Sequence, residues 1–168
     1  MRITIVGCGS IGSKLARAAD EMTEVKRIYL MDMDHSLAEN LAAELKKAIV
    51  VDNVEEELYH CDLVIEAASQ AAAKDIAPKV VSRGVDMMMM SVGALVDDDF
   101  RTMVKEKACH AEAKIFIPSG AICGTDGLRS SAIGRLDEVE LITTKGPKSL
   151  EGVPYIIDHG IDAVSYTH

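Results

Sequence analysis

The sequence is poor in aromatic residues, in basic residues and in long apolar runs. Only 4% of its 168 residues are aromatic and none is Trp, so aliphatic side chains and nine Met must fill the core. Lys and Arg number 18 against 27 Asp and Glu, which disfavours a nucleic-acid or anionic-membrane surface. No apolar run approaches the ~20 residues that span a bilayer, and no signal-peptide pattern follows Met1. We therefore expect a cytoplasmic protein without nucleic-acid or membrane partners.

Cysteine is also scarce, and its spacing carries no metal or disulfide pattern. The four cysteines form no C-x-x-C pair, and no histidine stands at metal-ligand spacing from them. In a reducing compartment such residues act as small apolar fillers. We expect buried or half-buried free thiols and no metal site.

Strand and helix patterns alternate over residues 1–117. The predicted strands cover residues 3–6, 27–32, 49–51, 63–67, 87–92 and 115–117. Nearly continuous apolar strands separated by helices are typical of a parallel sheet that is covered on both faces. The sequence therefore predicts an α/β fold with a Rossmann-type, doubly wound parallel sheet, in which residues 1–117 form a dinucleotide-binding domain.

The helices between these strands have recognisable faces and starts. One face of the first helix is predicted to contain Ile11, Leu15, Ala18, Ala19 and Met22. The second helix is predicted to begin with a capping box, Ser36-x-x-Glu39. Pro78 should break or kink the helix predicted over residues 70–83, and Asp97 is the first of three acids that should cap the next helix.

The alternation of strand and helix patterns ends before residues 118–168. They contain a small-residue loop, a short helical stretch over residues 126–133 and one clear strand over residues 139–144. Such a segment is too small to bury a core of its own. We expect the truncated start of an α+β catalytic or dimerisation domain. Its strand would leave an exposed edge, which favours pairing with another chain in a homodimer.

A G-x-G-x-x-G pattern stands between the first strand and the first helix, in "IVGCGSIGSKLA". In this context the glycines allow a tight turn, a close approach of the backbone to a diphosphate, and close packing of helix on strand. Backbone N–H groups at the start of the helix would then hold the phosphates. The predicted cofactor loop consists of Gly7, Cys8, Gly9, Ser10, Ile11 and Gly12.

An acidic residue ends the second strand. Asp32 lies about 20 residues beyond the last glycine, where a carboxylate accepts hydrogen bonds from the adenosine ribose hydroxyls. Met33, Asp34 and His35 follow it, with no Arg to accept a 2′-phosphate. The sequence thus predicts NAD, with NADP as the alternative cofactor. A glycine turn without a nucleotide is the structural alternative.

Small and polar residues follow the fourth, fifth and sixth predicted strands, in "EAASQ", "SVGAL" and "IPSGAICGTDGL". Ligands of open parallel sheets bind beyond the carboxyl ends of the strands. These segments should therefore line the path from the ribose to the nicotinamide. The predicted residues in the first two segments are Ala67, Ala68, Ser69, Ser91 and Gly93.

Together with "VGCGSIG", the motifs "DLVIEAASQ", "MMSVGAL" and "IPSGAICGTDGL" resemble the L-aspartate dehydrogenases of archaea and some bacteria, over residues 1–161. The resemblance implies oxidation of L-aspartate by NAD or NADP to iminoaspartate. That product enters NAD biosynthesis or hydrolyses to oxaloacetate and ammonia. It also implies that Asp32 binds the ribose, and that Ala121, beside Gly120 and Ser119, offers a backbone N–H near the nicotinamide.

The chain departs from that family in two respects. Family members are longer, so the catalytic His and a cofactor-contacting Asn are expected beyond residue 168, and this shortened chain is expected to lack its own base. Gly146 in "KGPKSL" replaces a proline that is common in the family. Lys145 and Lys148 are the candidates for holding substrate carboxylates. None of the histidines in the chain is predicted to be catalytic; these are His35, His60, His110, His159 and His168.

Two other functions remain open. The chain could be a non-catalytic NAD-binding module or subunit, because no general base is identified in it. It could also belong to a related dehydrogenase or reductase of the homoserine dehydrogenase or dihydrodipicolinate reductase type, since those enzymes share the architecture.

Overall fold

A computed structural model describes residues 1–119, 128, 133, 137–140, 157, 158 and 160. The strands in this part of the chain are β1 (Arg2–Val6), β2 (Arg27–Met31), β3 (Ala48–Val50), β4 (Leu63–Glu66), β5 (Asp86–Met89) and β6 (Ile115–Phe116). The α-helices are α1 (Ser10–Glu21), α2 (His35–Glu44), α3 (Val54–Glu57), α4 (Gln70–Ser82) and α5 (Asp98–His110). A 3₁₀ helix, Val92–Val96, lies between β5 and α5.

The strands form one sheet in the order β3-β2-β1-β4-β5-β6, and all neighbouring pairs are parallel. The strand order reverses between the neighbours β1 and β4. From β1 the chain continues to β2 and β3 on one side of the sheet, and from β4 it continues to β5 and β6 on the other side. This reversal is the topological switch point of a doubly wound α/β fold. The predicted Rossmann-type fold class is confirmed.

Alternate side chains of the strands enter two hydrophobic clusters. Met87 and Met89 pack in a cluster with buried residues of α4 and α5, whereas Met88 and Met90 pack against a cluster that includes residues of α1 and α2. Because successive side chains of a strand point to opposite faces, helices cover both faces of the sheet. Met87 and Met89 are buried in β5, and Met88 and Met90 are half-buried.

The predicted inner face of α1 is correct only in part. Ala19 is buried and Leu15 packs against the core, but Ile11 and Met22 are about half exposed, and the other buried residues of the helix are Gly12 and Ala16. The reason is the contact made by Gly12, since a Cβ at this position would overlap the carbonyl oxygen of Gly7. Small residues allow the helix to approach the end of β1, and this approach sets the orientation of the whole helix.

The predicted capping box of α2 is also wrong. Asp34 is the N-cap, and its side chain accepts a hydrogen bond from the backbone N–H of Ser36 at 3.1 Å. Ser36 is therefore inside the first turn, and Glu39 pairs with His35 rather than reaching back to the cap. The Asp34 carboxylate is an equally good cap and stands two residues earlier.

Helix α4 continues through Pro78 to Ser82, so the predicted break is wrong. Ile76, Ala77, Val80 and Val81 are buried on both sides of the proline. Their packing outweighs the backbone hydrogen bond that proline cannot donate.

The chain divides into two compact units, Met1–Ala121 and Ile122–His168. The sheet lies in the first unit. Of the predicted strand over residues 139–144, only Val139 and Glu140 are described, and neither belongs to a strand. Most of the helix predicted over residues 126–133 lies outside the described residues. Our assignment of residues 118–168 to a catalytic or dimerisation domain stays a prediction.

Within the described residues, no helix is long and apolar enough to cross a membrane.

Candidate functional site

A cleft of about 400 Å³ lies at the carboxyl ends of β1, β2 and β4. Six of its lining residues were predicted from the sequence, namely Gly7, Gly9, Asp32, Ala67, Ala68 and Ser69. Sequence reasoning missed the others, which are Val6, Met31, Met33, Ala72, Asp75 and Ile76. The cleft spans the switch point between β1 and β4, where open α/β sheets bind their ligands.

Two of the three motif glycines are required by the fold, because a side chain at either position would collide with the backbone. Gly7 has φ of +97°, and a Cβ there would lie 2.7 Å from the backbone of Ala67 and Ala68. Gly12 packs against the carbonyl group of Gly7. These glycines therefore bring the loop after β1 against both the end of β4 and the start of α1.

The fold does not require the third glycine. Gly9 has φ of −69°, which any residue adopts, and no atom of the described residues other than its chain neighbours lies within 4 Å of the position that its Cβ would occupy. Gly9 nevertheless lines the cleft. Its missing side chain leaves space at the cleft wall, so a ligand can approach the backbone closely.

Helix α1 begins at this cleft without a side-chain cap. Gly9 is its N-cap residue, and the first turn contains no acidic side chain. By contrast, side chains cap the other α-helices of the described chain; these caps are Asp34, Asn53, Ser69 and Asp97. The unpaired donors and the positive end of α1 suit an anion such as a diphosphate.

Asp32 lines the cleft beside the glycine loop and is held by backbone donors. Its Oδ2 accepts a hydrogen bond from the N–H of Cys8 at 2.6 Å, and its Oδ1 accepts one from the N–H of Asp34 at 2.9 Å. Each carboxylate oxygen can accept a further hydrogen bond, so both remain available to ribose hydroxyls. No Lys or Arg is among the described residues that line the cleft. This composition suits NAD better than the 2′-phosphate of NADP.

Cys8 occupies the cofactor loop as a buried thiol. Burial, together with the neighbouring Asp32 carboxylate, raises its pKa to about 11. The thiol is therefore protonated at neutral pH, and a nucleophilic or redox role is disfavoured. Cys61 is buried as well, but Cys109 is exposed, which corrects the expectation of buried or half-buried thiols for that residue.

Sequence reasoning missed the role of Glu66, a fully buried acid at the end of β4. Its carboxylate accepts hydrogen bonds from the N–H of Ala68 and from both the N–H and the hydroxyl of Ser91. A lone acid at the end of the apolar run "LVIE" was the available signal. The same contacts explain why β5 ends at Met89 rather than at residue 92, since Ser91 turns towards Glu66.

The remaining predicted residues lie around the cleft or outside the described chain. Ser10 and Ile11 begin α1 beside Gly9. Gly93 lies in the 3₁₀ helix against the side chain of Gln70, where a Cβ would stand 2.5 Å from Nε2. Ser91 and Gly93 do not line the cleft itself. Gly120 and Ala121 lie outside the described residues.

The described histidines do not line the cleft. His35 is exposed and paired with Asp52 and Glu39, and its hydrogen bond to Asp52 is the main cause of its raised pKa. His60 and His110 are exposed at the surface, as predicted. His159 and His168, with Lys145, Gly146 and Lys148, lie outside the described residues.

Residues 7–118 match the family model described as "Homoserine dehydrogenase, NAD binding domain". The chain belongs to this NAD-binding domain family. The match covers the glycine loop, the Asp32 wall and the ends of β4 and β5. It confirms NAD as the cofactor class predicted from the motif, while the individual cofactor-binding residues stay a prediction.

Curated proteins that resemble the chain include two archaeal proteins named L-aspartate dehydrogenase. The protein from Methanosarcina acetivorans is 40% identical over 164 residues, which cover 96% of this chain and 60% of the relative. The protein from Methanothermobacter thermautotrophicus is 42% identical over 151 residues, covering 89% of this chain and 58% of the relative. The chain thus spans about 60% of the length of these relatives.

A solved structure gives the same result for the fold. The crystal structure of aspartate dehydrogenase from Thermotoga maritima has a TM-score of 0.63 and 27% sequence identity, and the match covers 90% of this chain and 59% of that one. Together with the archaeal relatives, it confirms the resemblance to L-aspartate dehydrogenases that the motifs indicate.

Proposed function

We propose that this chain is the cofactor-binding part of an NAD-dependent L-aspartate dehydrogenase. The observation that carries the proposal is the 40% identity with an L-aspartate dehydrogenase over 96% of the chain. The cleft at the switch point, which contains an uncapped helix start and the carboxylate of Asp32, supports the cofactor part of the proposal.

Each part of the cleft has a task in holding the dinucleotide. The backbone from Gly9 into the first turn of α1 binds the diphosphate, because its donors are uncapped and no side chain obstructs them. Asp32 accepts hydrogen bonds from the adenosine ribose hydroxyls. The segments after β4 and β5, with Gly120 and Ala121, lie on the nicotinamide side in this proposal.

The chemistry that the cofactor supplies when bound is acceptance of a hydride from C2 of L-aspartate. The substrate amine loses a proton to a general base, and the product is iminoaspartate, which feeds NAD biosynthesis. The base is the His that the resemblance places beyond residue 168. The described residues contribute binding and orientation of the cofactor.

A homoserine dehydrogenase is the second candidate, because the description of the matching family model names that enzyme. The experiment therefore compares substrates. The purified chain is titrated with NADH and NADPH by fluorescence, and NADH formation is then followed with NAD and either L-aspartate or L-homoserine. We expect tighter binding of NADH than of NADPH, and any turnover to require L-aspartate. Turnover with L-homoserine alone would favour the second candidate.

Two further outcomes are informative. Binding of NADH without turnover of either substrate supports either the cofactor-binding part of the dehydrogenase without its base or a non-catalytic NAD-binding module or subunit. Absence of NADH binding at millimolar cofactor contradicts the proposal altogether. We also propose a cytoplasmic homodimer, since the predicted strand over residues 139–144 would otherwise leave an open edge.

A further inference from the structure

Glu66 is an unusual group in the centre of the sheet. It ends β4, between β1 and β5, and its side chain has no solvent exposure. No Lys or Arg pairs with it among the described residues. A buried carboxylate without a cation is costly unless several hydrogen-bond donors surround it. Glu66 does not line the cleft, so a direct contact with the ligand does not explain it.

The partners of Glu66 belong to two different loops. Oε1 accepts a hydrogen bond from the N–H of Ala68 at 2.9 Å and one from the hydroxyl of Ser91 at 2.8 Å, while Oε2 accepts one from the N–H of Ser91 at 3.0 Å. The carbonyl oxygen of Glu66 also accepts a hydrogen bond from the N–H of Met90 at 2.9 Å. One residue thus joins the turn after β4 to the turn after β5.

The same network reaches the glycine loop. The backbone at Ala67 and Ala68 contacts Gly7, and the N–H of Ala67 donates to the carbonyl oxygen of Val6 at 2.8 Å. The ends of β1, β4 and β5 are therefore linked through the segment that Glu66 fixes. An apolar side chain in place of Glu66 would fill the same volume but leave two backbone N–H groups without acceptors.

We propose that Glu66 is a positioning residue that sets the placement of residues 67–69 relative to residues 91–93, and thereby shapes the nicotinamide side of the cofactor site. This inference rests on the proposed function of the cleft as an NAD site. Glu66 acts through Ala68 and Ser91 rather than by touching the cofactor. The bond between the N–H of Ala67 and the carbonyl oxygen of Val6 does not involve the Glu66 side chain, so the glycine loop keeps this support. Loss of the carboxylate should therefore affect the nicotinamide end of the dinucleotide more than the diphosphate and adenosine end.

The test compares two ligands in the variant Glu66→Gln. The amide keeps the shape of the side chain, but one of its two ends becomes a donor and meets a backbone N–H. ADP-ribose contains the diphosphate and adenosine portions of NADH and lacks the nicotinamide. We expect Glu66→Gln to weaken NADH binding by about tenfold and ADP-ribose binding by less than about threefold, measured by titration calorimetry.

Thr4→Val is the matched control. Thr4 is equally buried, lies in the central strand β1 and hydrogen-bonds to Cys61, which is remote from the cleft residues. Both variants should lower the melting temperature, but only Glu66→Gln should change the ratio of the NADH and ADP-ribose affinities. An equal weakening of both ligands, or no weakening, by a folded Glu66→Gln variant overturns the positioning role. If the wild-type chain binds neither ligand, the proposed cofactor site fails, and this inference fails with it.

Ser91→Ala keeps the test decisive if Glu66→Gln does not fold. This change removes only the hydroxyl that donates to Oε1 and leaves the backbone donor in place. We expect a smaller loss, about threefold, that is again confined to NADH. An unchanged ratio of the two affinities in folded Ser91→Ala contradicts the proposal.

Discussion

Three glycines of one motif have different physical roles in this chain. Gly7 is needed because its φ is positive and the backbone at Ala67 leaves no room for a Cβ. Gly12 is needed because α1 packs on the carbonyl group of Gly7. Gly9 is the exception, since its backbone conformation is ordinary and the space beside it is open. The fold therefore needs Gly7 and Gly12, whereas we propose that Gly9 is a glycine because the ligand needs the open space beside it.

Gly9→Ala should weaken cofactor binding without unfolding the protein. Calorimetric titration with NADH should show an affinity lower by about tenfold or more, because a methyl group would occupy the space next to the uncapped turn of α1. The free energy of unfolding, measured in urea, should change by less than about 1 kcal/mol, since Gly9 is an N-cap residue in an unstrained conformation.

Gly7→Ala is the contrasting variant. It should lower the free energy of unfolding by more than about 2 kcal/mol, because L-residues are strained at positive φ and the added Cβ would collide with Ala67. If Gly9→Ala destabilises the protein as much as Gly7→Ala, or leaves NADH affinity unchanged, the assignment of Gly9 to the ligand is wrong.

At the scale of secondary-structure elements, the helix starts separate into two kinds. Four α-helices of the described chain begin with a side-chain cap, and α1, the helix at the cleft, begins without one. Asp97 is the cap of α5 and accepts a hydrogen bond from the N–H of Phe100 at 3.1 Å. It also accepts one from Lys74 of α4 at 2.7 Å, so this residue joins two helices.

Asp97→Ala should destabilise the protein at neutral pH but not in strong acid. The hydrogen bond from Lys74, followed by that from the N–H of Phe100, lowers the pKa of Asp97 in the folded state. A lowered pKa means that this stabilisation is fully present above the unfolded-state pKa of about 4 and is lost as the pH falls through the folded-state value.

Thermal unfolding followed by circular dichroism checks this prediction. At pH 7 the melting temperature of Asp97→Ala should be about 2–4 °C below that of wild type, and the difference should shrink as the pH falls below about 4. Asp99→Ala, which removes an acid from the same turn but not the cap, is the control and should have a smaller effect. A difference that stays constant down to pH 2 would argue against this role of Asp97.

The existence and order of the elements were predictable, but several of their contacts were not. Alternating apolar runs predicted six strands and the helices between them, and the Asp97 cap was read correctly because its signal is local. The inner face of α1 depends on contact between Gly12 and Gly7, which apolar spacing does not record. The end of β5 depends on the contact between Ser91, in the turn after β5, and Glu66, at the end of β4, which are 25 residues apart in the chain.

At the scale of the whole molecule, a net charge of −9 coexists with a site for an anionic dinucleotide. The fold offsets the unfavourable net charge locally, because it places the uncapped, positive end of α1 at the switch point between β1 and β4. In the proposed site, backbone donors bind the diphosphate, since the described side chains of the cleft include no Lys or Arg. An acidic composition is therefore compatible with this ligand.

The homodimer is the prediction that belongs to this scale. Light scattering coupled to size-exclusion chromatography should give twice the chain mass of 18.1 kDa, because the strand predicted over residues 139–144 would leave an open edge that pairs with a second copy. The measurement should be repeated at several protein concentrations to separate a defined dimer from aggregation. A single species at 18.1 kDa under all conditions would contradict the prediction.

The sequence by itself determined the α/β class, and it predicted a cofactor loop and a ribose-binding acid, because each of these is specified by residues close together in the chain. It also carried the resemblance to L-aspartate dehydrogenases. Only the tertiary structure decided which glycine is free for the ligand, which face of α1 is buried, and why Glu66 is an acid. These features depend on strand ends that are distant in sequence and adjacent in the sheet, and a parallel sheet brings such ends together through its crossovers.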